Sequence, residues 1–138
     1  MTLIKSISGI RGIINTSIDS HLVRKYIEAF SNISPKGSIL LARDTRNSGE
    51  AFISNSINQL SKLNRSYINC DIVPTPTAQY IIKSDKKCAG GIVFTASHNP
   101  SNWNGMKFID SNGTFLDHDT FSNLEKEVST IILPDESI

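Results

Sequence analysis

The stretch from Gly90 to Pro100 reads GGIVFTASHNP and joins an apolar run to a polar segment. A short, continuous apolar run of this kind predicts a strand that is buried on both faces. The polar residues and the proline that follow predict a loop, which begins at about Thr95. Because ligands of open α/β sheets bind at the carboxyl ends of the strands, the hydroxyl of Ser97 is predicted to lie in a binding cleft.

Apolar runs and helical periodicities alternate on both sides of this strand, which is typical of an α/β fold. Strands are predicted at 38–42, 67–73 and 90–95, and helices at 20–34, 47–63 and 77–83, with a last helix that carries Phe121, Leu124 and Val128. The Asn112-Gly113 pair between two apolar runs predicts an antiparallel hairpin. The predicted fold is therefore a three-layer α/β/α domain with a mixed, mostly parallel sheet and an antiparallel edge hairpin.

The composition argues against several classes of protein. With 138 residues, 38% of them hydrophobic and 20% charged, the chain fits one ordinary globular domain. The net charge of +1 gives no electrostatic basis for binding nucleic acid or an acidic membrane, and no apolar run approaches the length of a membrane span. The start lacks a signal-peptide pattern, and Cys70 and Cys88 form neither a disulfide framework nor a zinc motif. We therefore expect a cytoplasmic protein.

The residues around Ser97 suit phosphoryl transfer. Catalysis of this reaction depends mostly on positioning and on neutralising the charge of the phosphate oxygens. Arg11, Arg43 and Lys107 supply cations from three separate segments of the chain. Backbone N–H groups of the turn-rich segment 99–105 add donors that could cradle a phosphate. The pattern therefore favours a reaction of a small, negatively charged substrate.

Structural interpretations of the same residues stay open. Ser97 could be a polar turn residue, and His98 an ordinary hydrogen-bonding residue. Lys107 could be a solvated strand residue. Arg43 could form a structural ion pair with Asp44, since such pairs often organise a site without taking part in chemistry.

Four segments, in order along the chain, resemble the α-D-phosphohexomutases, the family of phosphoglucomutase, phosphomannomutase and phosphoglucosamine mutase. They cover most of the chain, and their combination is far more specific than any one of them. The segments are SGIRG at 8–12, ARDTRNSG at 42–49, PTPT at 74–77, and TASHNP at 95–100 followed by NGMK at 104–107.

The resemblance implies a role for each matching residue. Ser97 would be the phosphorylated serine, which gives its phosphoryl group to a phosphosugar, forms a bisphosphate intermediate and takes the other phosphate back. His98 would lie beside the substrate, Lys107 would be a candidate general base, and Arg11 would point at the phosphoserine. Substrate or phosphate binding is further expected at Arg43, Asn99 and Asn104.

The resemblance also implies partners that these residues do not supply. The family uses Mg²⁺, held by three carboxylates of the second domain and by one oxygen of the phosphoserine, so only Ser97 would contribute a ligand here. No Asp-x-Asp-x-Asp run is present, and we expect no tight metal site in these residues alone. We expect a first domain at 1–130, the start of a linker at 131–138, and, as partners, a phosphohexose and the remaining domains of the same polypeptide.

Two other functions are weighed against the mutase. A serine hydrolase is disfavoured because Ser97 does not lie in a Gly-x-Ser-x-Gly pattern and because His98 is adjacent in sequence, which is awkward for a base that must face the hydroxyl. A non-catalytic phosphate-binding or assembly module would keep the same loop without the reaction. The identity of the sugar is left open as glucose, mannose or glucosamine phosphate.

Overall fold

The computed structural model describes residues 3–7 and 9–134. The elements are, in chain order, β1 (Ile4–Ser6), β2 (Gly9–Ile13), α1 (Ser20–Ile33), β3 (Ser38–Arg43), α2 (Asn47–Lys62), β4 (Tyr67–Ile72), α3 (Thr75–Ser84), β5 (Cys88–Phe94), β6 (Trp103–Ile109) and α4 (His118–Thr130). The helices and strands predicted from periodicity are confirmed. Strands β1 and β2 had no counterpart in the prediction, because their short segment shows no alternation of apolar and polar residues.

The six strands form one mixed sheet in the order β1-β2-β6-β5-β3-β4. Strand β3 runs parallel to β4 and to β5, and each of these connections contains a helix. The pairings β1–β2, β2–β6 and β5–β6 are antiparallel. The α/β class and the mixed sheet are confirmed, but the sheet is not mostly parallel. Segment 95–102 contains no helix and is too short for a parallel crossover, so β6 must return antiparallel to β5.

The antiparallel edge does not come from the turn at Asn112. That turn leads to a single bridge between Ile109 and Phe115. The carboxylate of Asp110 accepts hydrogen bonds from the backbone N–H groups of Asn112 and Thr114 at 2.9 and 3.2 Å, which binds these groups locally. The edge is instead formed by β1 and β2.

Helices cover both faces of the sheet, which confirms the three-layer architecture. Helices α1, α2 and α4 pack on one face around a core that includes Tyr26, Phe30, Phe94 and Phe108. Helix α3 packs on the other face through Ala78 and Ile82, against residues of β3 and β5. Strand β5 lies in the middle of the sheet, and all seven of its residues are buried, as the apolar run predicted. The centre of the domain therefore holds the strand that precedes Ser97.

A buried phenol connects α1 to α4 and β1. Tyr26 is fully buried and donates a hydrogen bond to Glu125, whose carboxylate also pairs with the ammonium of Lys5 at 2.8 Å. Burial, together with the adjacent Glu125 carboxylate, raises the pKa of Tyr26 well above its usual range. The folded protein therefore keeps this phenol protonated at a pH at which the unfolded chain loses the proton.

This difference predicts a loss of stability at alkaline pH. Since the unfolded state releases a proton above about pH 10 and the folded state does not, the free energy of unfolding should fall by up to ~1.4 kcal/mol per pH unit there. A Tyr26→Phe variant lacks this contribution and should show a shallower fall between pH 10 and 11. Urea unfolding across this range measures both slopes, and parallel slopes would contradict the prediction.

The end of the domain extends slightly beyond α4. The helix ends at Thr130, near the predicted start of the linker. Ile131 is buried, and Leu133 packs against the core beside α1, α2 and α4. Residues 135–138 of the predicted linker lie outside the described residues, as does Ser8 of the SGIRG segment.

Candidate active site at the serine turn

Ser97 lies in a tight turn directly after β5. The N–H of Asn99 donates to the carbonyl of Ala96 at 3.0 Å, which closes the turn around Ser97 and His98. The N–H of Ser97 donates to Oγ1 of Thr95 at 3.1 Å. Ser97 and His98 are exposed, whereas Thr95 and Ala96 are buried. The end of the central strand thus presents a serine hydroxyl to solvent.

The backbone of Ser97 is in the left-handed region, with a φ of 54°. For a residue with a side chain this conformation costs about 1 kcal/mol or more, and such strain is concentrated at functional sites. Because glycine adopts positive φ without this cost, the turn would be easier to form with glycine at position 97. A serine at this position therefore costs stability that a glycine would not, which favours a role for its hydroxyl.

A pair of substitutions measures this strain. Ser97→Gly should unfold with a free energy about 1 kcal/mol higher than Ser97→Ala, because only glycine relieves the positive φ. Ser101, whose φ is not positive, provides the control: there, alanine should be the more stable replacement, since glycine loses more entropy on folding. Urea unfolding of the four variants decides the matter. If alanine is the more stable replacement at both positions, Ser97 carries no strain.

The guanidinium of Arg46 holds the serine turn. Arg46 follows Asp44 in the loop after β3, and its side chain is only 12% exposed. Its Nε donates to Asp44 Oδ2 at 3.2 Å. Its other four N–H groups donate to backbone carbonyls, those of Pro100 at 2.6 Å, Trp103 at 3.1 Å, Ser97 at 3.0 Å and Asn99 at 2.7 Å. All five donors of the guanidinium are used, so Arg46 ties the two loops together.

The loop after β3 and the serine turn line an open cleft of about 620 Å³. Its lining residues are Asp44, Thr45, Arg46, Asn47, Ser97, Asn99 and Ser101. Helix α2 begins at Asn47 and carries no side-chain cap on its first turn. The free N–H groups and the dipole at the start of a helix favour an anion. The polar lining and this helix end suit a phosphate.

Arg11 reaches the serine turn from β2. In the sheet, Arg11 lies opposite Gly105 of β6, and its Nη1 donates to Oδ1 of Asn99 at 3.2 Å. A Cβ at Gly105 would lie 2.8 Å from Cγ of Arg11 and 2.2 Å from the carbonyl oxygen of Ile10. Because Gly105 has no side chain, the side chain of Arg11 can pass over β6 and reach Asn99. The structure thus places the Arg11 guanidinium against Asn99, two residues after Ser97, although Arg11 does not itself line the cleft.

Two other predicted residues lie apart from the cleft. Arg43 is 12% exposed, and its Nε pairs with Asp71 at 2.8 Å, while Asp44 pairs with Arg46. The structural ion pair between Arg43 and Asp44, which the sequence left open as an alternative, is thus replaced by two others. The reason is a bulge opposite Ala42 and a left-handed Asp71, which bring this carboxylate to Arg43.

Asn104 is fully buried. Its Nδ2 donates to the hydroxyl of Ser48 at 2.7 Å, and its Oδ1 accepts from the N–H of Gly105 at 2.8 Å. These bonds fix the start of β6 to the start of α2. The side chain of Asn104 therefore supports the cleft from within and presents no group to its surface.

The candidate bases differ in their positions. His98 is exposed next to Ser97, and within the described part of the chain no hydrogen bond joins its ring to the serine hydroxyl. Lys107 lies two residues after Gly105, on the same face of β6. Its ammonium sits 5.7 Å from the centroid of the Phe115 ring, and Lys107 does not line the cleft. In this structure the Lys107 amine is engaged by an aromatic ring.

Arg46 and Ser48 are the residues whose importance the sequence understated. Both bond to residues more than 50 positions away in the chain. The Asp-x-Arg spacing gives a local signal, because Asp44 Oδ1 also accepts from the N–H of Arg46 at 3.0 Å. The carbonyls that Arg46 contacts cannot be read from that spacing.

The described part of the chain offers little for binding a metal. Over residues 3–7 and 9–134, no group of three or more His, Cys, Asp or Glu side chains is arranged to hold an ion. Asp44 is the carboxylate in the cleft, and both its oxygens accept hydrogen bonds from Arg46.

None of the helices in the same described ranges is long and apolar enough to span a bilayer.

The sequence of this chain matches a known protein family over most of its length. The family model "Phosphoglucomutase/phosphomannomutase, alpha/beta/alpha domain I" matches residues 3–134. A phosphoglucosamine mutase of Prochlorococcus marinus (strain MIT 9312) is 34% identical over 119 residues, which cover 86% of this chain and 26% of that protein. A phosphoglucosamine mutase of Clostridium acetobutylicum is 34% identical over 131 residues, 92% of this chain and 28% of that protein.

The fold is shared with a solved mutase. The open form of the Paramecium phosphoglucomutase parafusin superimposes with a TM-score of 0.79 at 22% identity, over 91% of this chain and 25% of that one. At this identity the likeness shows the fold alone. The chain spans about a quarter of the length of the curated relatives that it matches. The chain belongs to the phosphoglucomutase/phosphomannomutase family and corresponds to its α/β/α domain I.

Proposed function

We propose that the chain is the serine-bearing domain of a mutase that interconverts hexose 1-phosphate and hexose 6-phosphate, with Ser97 as the reversible carrier of the phosphoryl group. The observation that carries the proposal is the exposed Ser97 hydroxyl, held in a left-handed turn inside a polar cleft at the start of α2. A merely structural turn would not need a serine at this strained position.

The reaction consists of two transfers between oxygens. In the first, the bond between phosphorus and Ser97 Oγ breaks while a hydroxyl of the phosphohexose bonds to phosphorus and gives its proton to a base. The sugar bisphosphate then reorients in the site. Its other phosphoryl group bonds to Ser97 Oγ as the bond to the sugar oxygen breaks. His98, exposed beside Ser97, and Lys107 are the candidate bases.

Arg11 is the proposed phosphate ligand of this chain. Within the described residues it makes one side-chain hydrogen bond, to Asn99, so its guanidinium keeps donors for phosphate oxygens. The start of α2 supplies further positive potential on the cleft. Positioning and charge neutralisation of this kind account for most of the catalysis of phosphoryl transfer. Arg43 and Asn104 are assigned no contact with phosphate, since Arg43 pairs with Asp71 and Asn104 is buried.

Mg²⁺ is the proposed cofactor. A phosphoryl oxygen on Ser97 is the ligand that this chain would provide, and the carboxylates would come from another domain, because Asp44 is bonded to Arg46 through both oxygens. The metal supplies neutralisation of the phosphate charge. The free thiols of Cys70 and Cys88 support a reducing compartment, and we propose the cytoplasm.

The test is an isomerisation assay of a polypeptide that carries this chain together with the remaining mutase domains. The substrates are the 1- and 6-phosphates of glucose, mannose and glucosamine, each with and without Mg²⁺. Interconversion of at least one pair is the expected result. No interconversion of any pair, in a folded protein, would favour a phosphate-binding or assembly module.

A further inference from the structure

Two arginines of this chain use their guanidinium groups in the same way. Arg46 bonds to Asp44 and to four carbonyls of segment 97–103. Arg65 bonds to the hydroxyl and the carbonyl of Ser31 and to the carbonyls of Ser34, Pro35 and Gly37. In each case five donors meet five acceptors, and a loop is held by its carbonyls.

The difference between the two arginines is their position relative to Ser97. Arg65 fixes the loop between α1 and β3, and no residue that it contacts lines the cleft around Ser97. Arg46 lines that cleft, and one of its bonds is to the carbonyl of Ser97 itself. Because the five donors of Arg46 are committed, this guanidinium has none left for a phosphate oxygen.

We propose that Arg46, oriented by Asp44, is a positioning residue for the reaction of Ser97 and is not a phosphate ligand. Its four carbonyl contacts hold the turn so that Ser97 keeps its positive φ and its hydroxyl faces the cleft. Asp44 sets the guanidinium through Oδ2 on Nε and holds the backbone of Arg46 through Oδ1. The proposal rests on the proposed function, since a fixed hydroxyl matters only if Ser97 accepts phosphate.

The Arg46→Lys substitution separates a positioning role from a phosphate-binding role. It keeps the positive charge that a phosphate ligand needs, but its single ammonium cannot reach four carbonyls in a plane. Arg65→Lys is the matched control, because it loses the same number of bonds at a loop remote from Ser97. Asp44→Asn is a milder variant, because it keeps an oxygen for the N–H of Arg46 and removes the charged partner of Nε.

Hydrogen–deuterium exchange of the 138-residue chain measures how firmly the turn is held. In Arg46→Lys, amides of segment 96–103 should exchange at least ~10-fold faster, and in Asp44→Asn about 3-fold faster. Arg65→Lys should leave segment 96–103 unchanged and accelerate segment 31–38. Guanidinium ion at a non-denaturing concentration should slow the exchange of segment 96–103 in Arg46→Ala.

Two results of the exchange experiment would overturn the proposal. One is exchange of segment 96–103 in Arg46→Lys at the rate of the unsubstituted chain. The other is equal acceleration of that segment by Arg65→Lys, which would mean general loss of stability. If Arg46→Lys does not fold, Asp44→Asn takes its place. Exchange of segment 96–103 in Asp44→Asn at the rate of the unsubstituted chain would then overturn the proposal.

Kinetics of the polypeptide with the remaining mutase domains give a second readout. A positioning role predicts that Arg46→Lys lowers kcat by about 100-fold with KM nearly unchanged. A raised KM with kcat unchanged would instead make Arg46 a phosphate ligand and overturn the proposal. Phosphate uptake by Ser97 is measured separately, so its absence overturns the proposed function, whereas unchanged loop exchange overturns the role of Arg46 alone.

Discussion

Ser97→Ala is expected to lower the turnover of the mutase polypeptide by at least ~10³-fold, because both proposed transfers pass through the Ser97 hydroxyl. The cleft, the start of α2 and Arg11 are unaffected by loss of one oxygen, so substrate should still bind. The expected result is therefore a loss of kcat with a smaller change in KM. Initial rates over a range of hexose phosphate concentrations measure both constants.

Ser101→Ala is the matched control for this substitution. Ser101 is exposed and lines the same cleft, four residues after Ser97. Its hydroxyl has no part in the proposed transfers, so turnover should stay within about threefold of the unsubstituted protein. Equal losses in the two variants would place the chemistry elsewhere in the loop.

Gly105→Ala is expected to reduce the free energy of unfolding by about 2–4 kcal/mol. The added Cβ would lie 2.2 Å from the carbonyl oxygen of Ile10 and 2.9 Å from that of Thr95, and both atoms belong to strands or strand ends that cannot move independently. It would also displace Arg11, whose Cγ lies at 2.8 Å. Urea unfolding measures the loss, and exchange of the Asn99 amide reports the shift of the serine turn.

Gly12→Ala is the control for the glycine substitution. Gly12 is next to Arg11 on β2, and the nearest atom to its added Cβ is the hydroxyl of Ser17 at 2.5 Å. A serine side chain can rotate away, although its bond to the N–H of Ile13 would be lost. The loss should therefore be about half that of Gly105→Ala or less. A Gly105→Ala protein as stable as the unsubstituted one would show that β2 and β6 separate easily.

Periodicity predicted the helices and the parallel strands because their apolar residues face a core. Segment 90–94 could be assigned to a central strand from its small and β-branched residues alone, and all of its residues are buried. The pairing of β2 with β6 could not be predicted in this way. It depends on contacts between residues about 95 positions apart, and on glycines at positions 9 and 105 that let the two backbones approach.

The sequence predicted those parts of the site in which the side chain itself is exposed near Ser97. Ser97, His98 and Asn99 lie together because they are consecutive, and Arg11 joins them through a strand pairing. Arg43 was expected to bind substrate or phosphate, but a bulge in the neighbouring strand turns Asp71 toward it. A bulge of this kind depends on packing and leaves no sequence pattern.

Whether Ser97 carries the phosphoryl group is measured directly by peptide mass spectrometry of the mutase polypeptide after incubation with a hexose 1,6-bisphosphate and Mg²⁺. We expect one phosphate on the peptide that contains segment 95–107, with fragment ions that place it on Ser97, and none on that peptide in Ser97→Ala. Phosphate on Ser101 or His98, or rapid turnover by a protein whose Ser97 never carries phosphate, would contradict it.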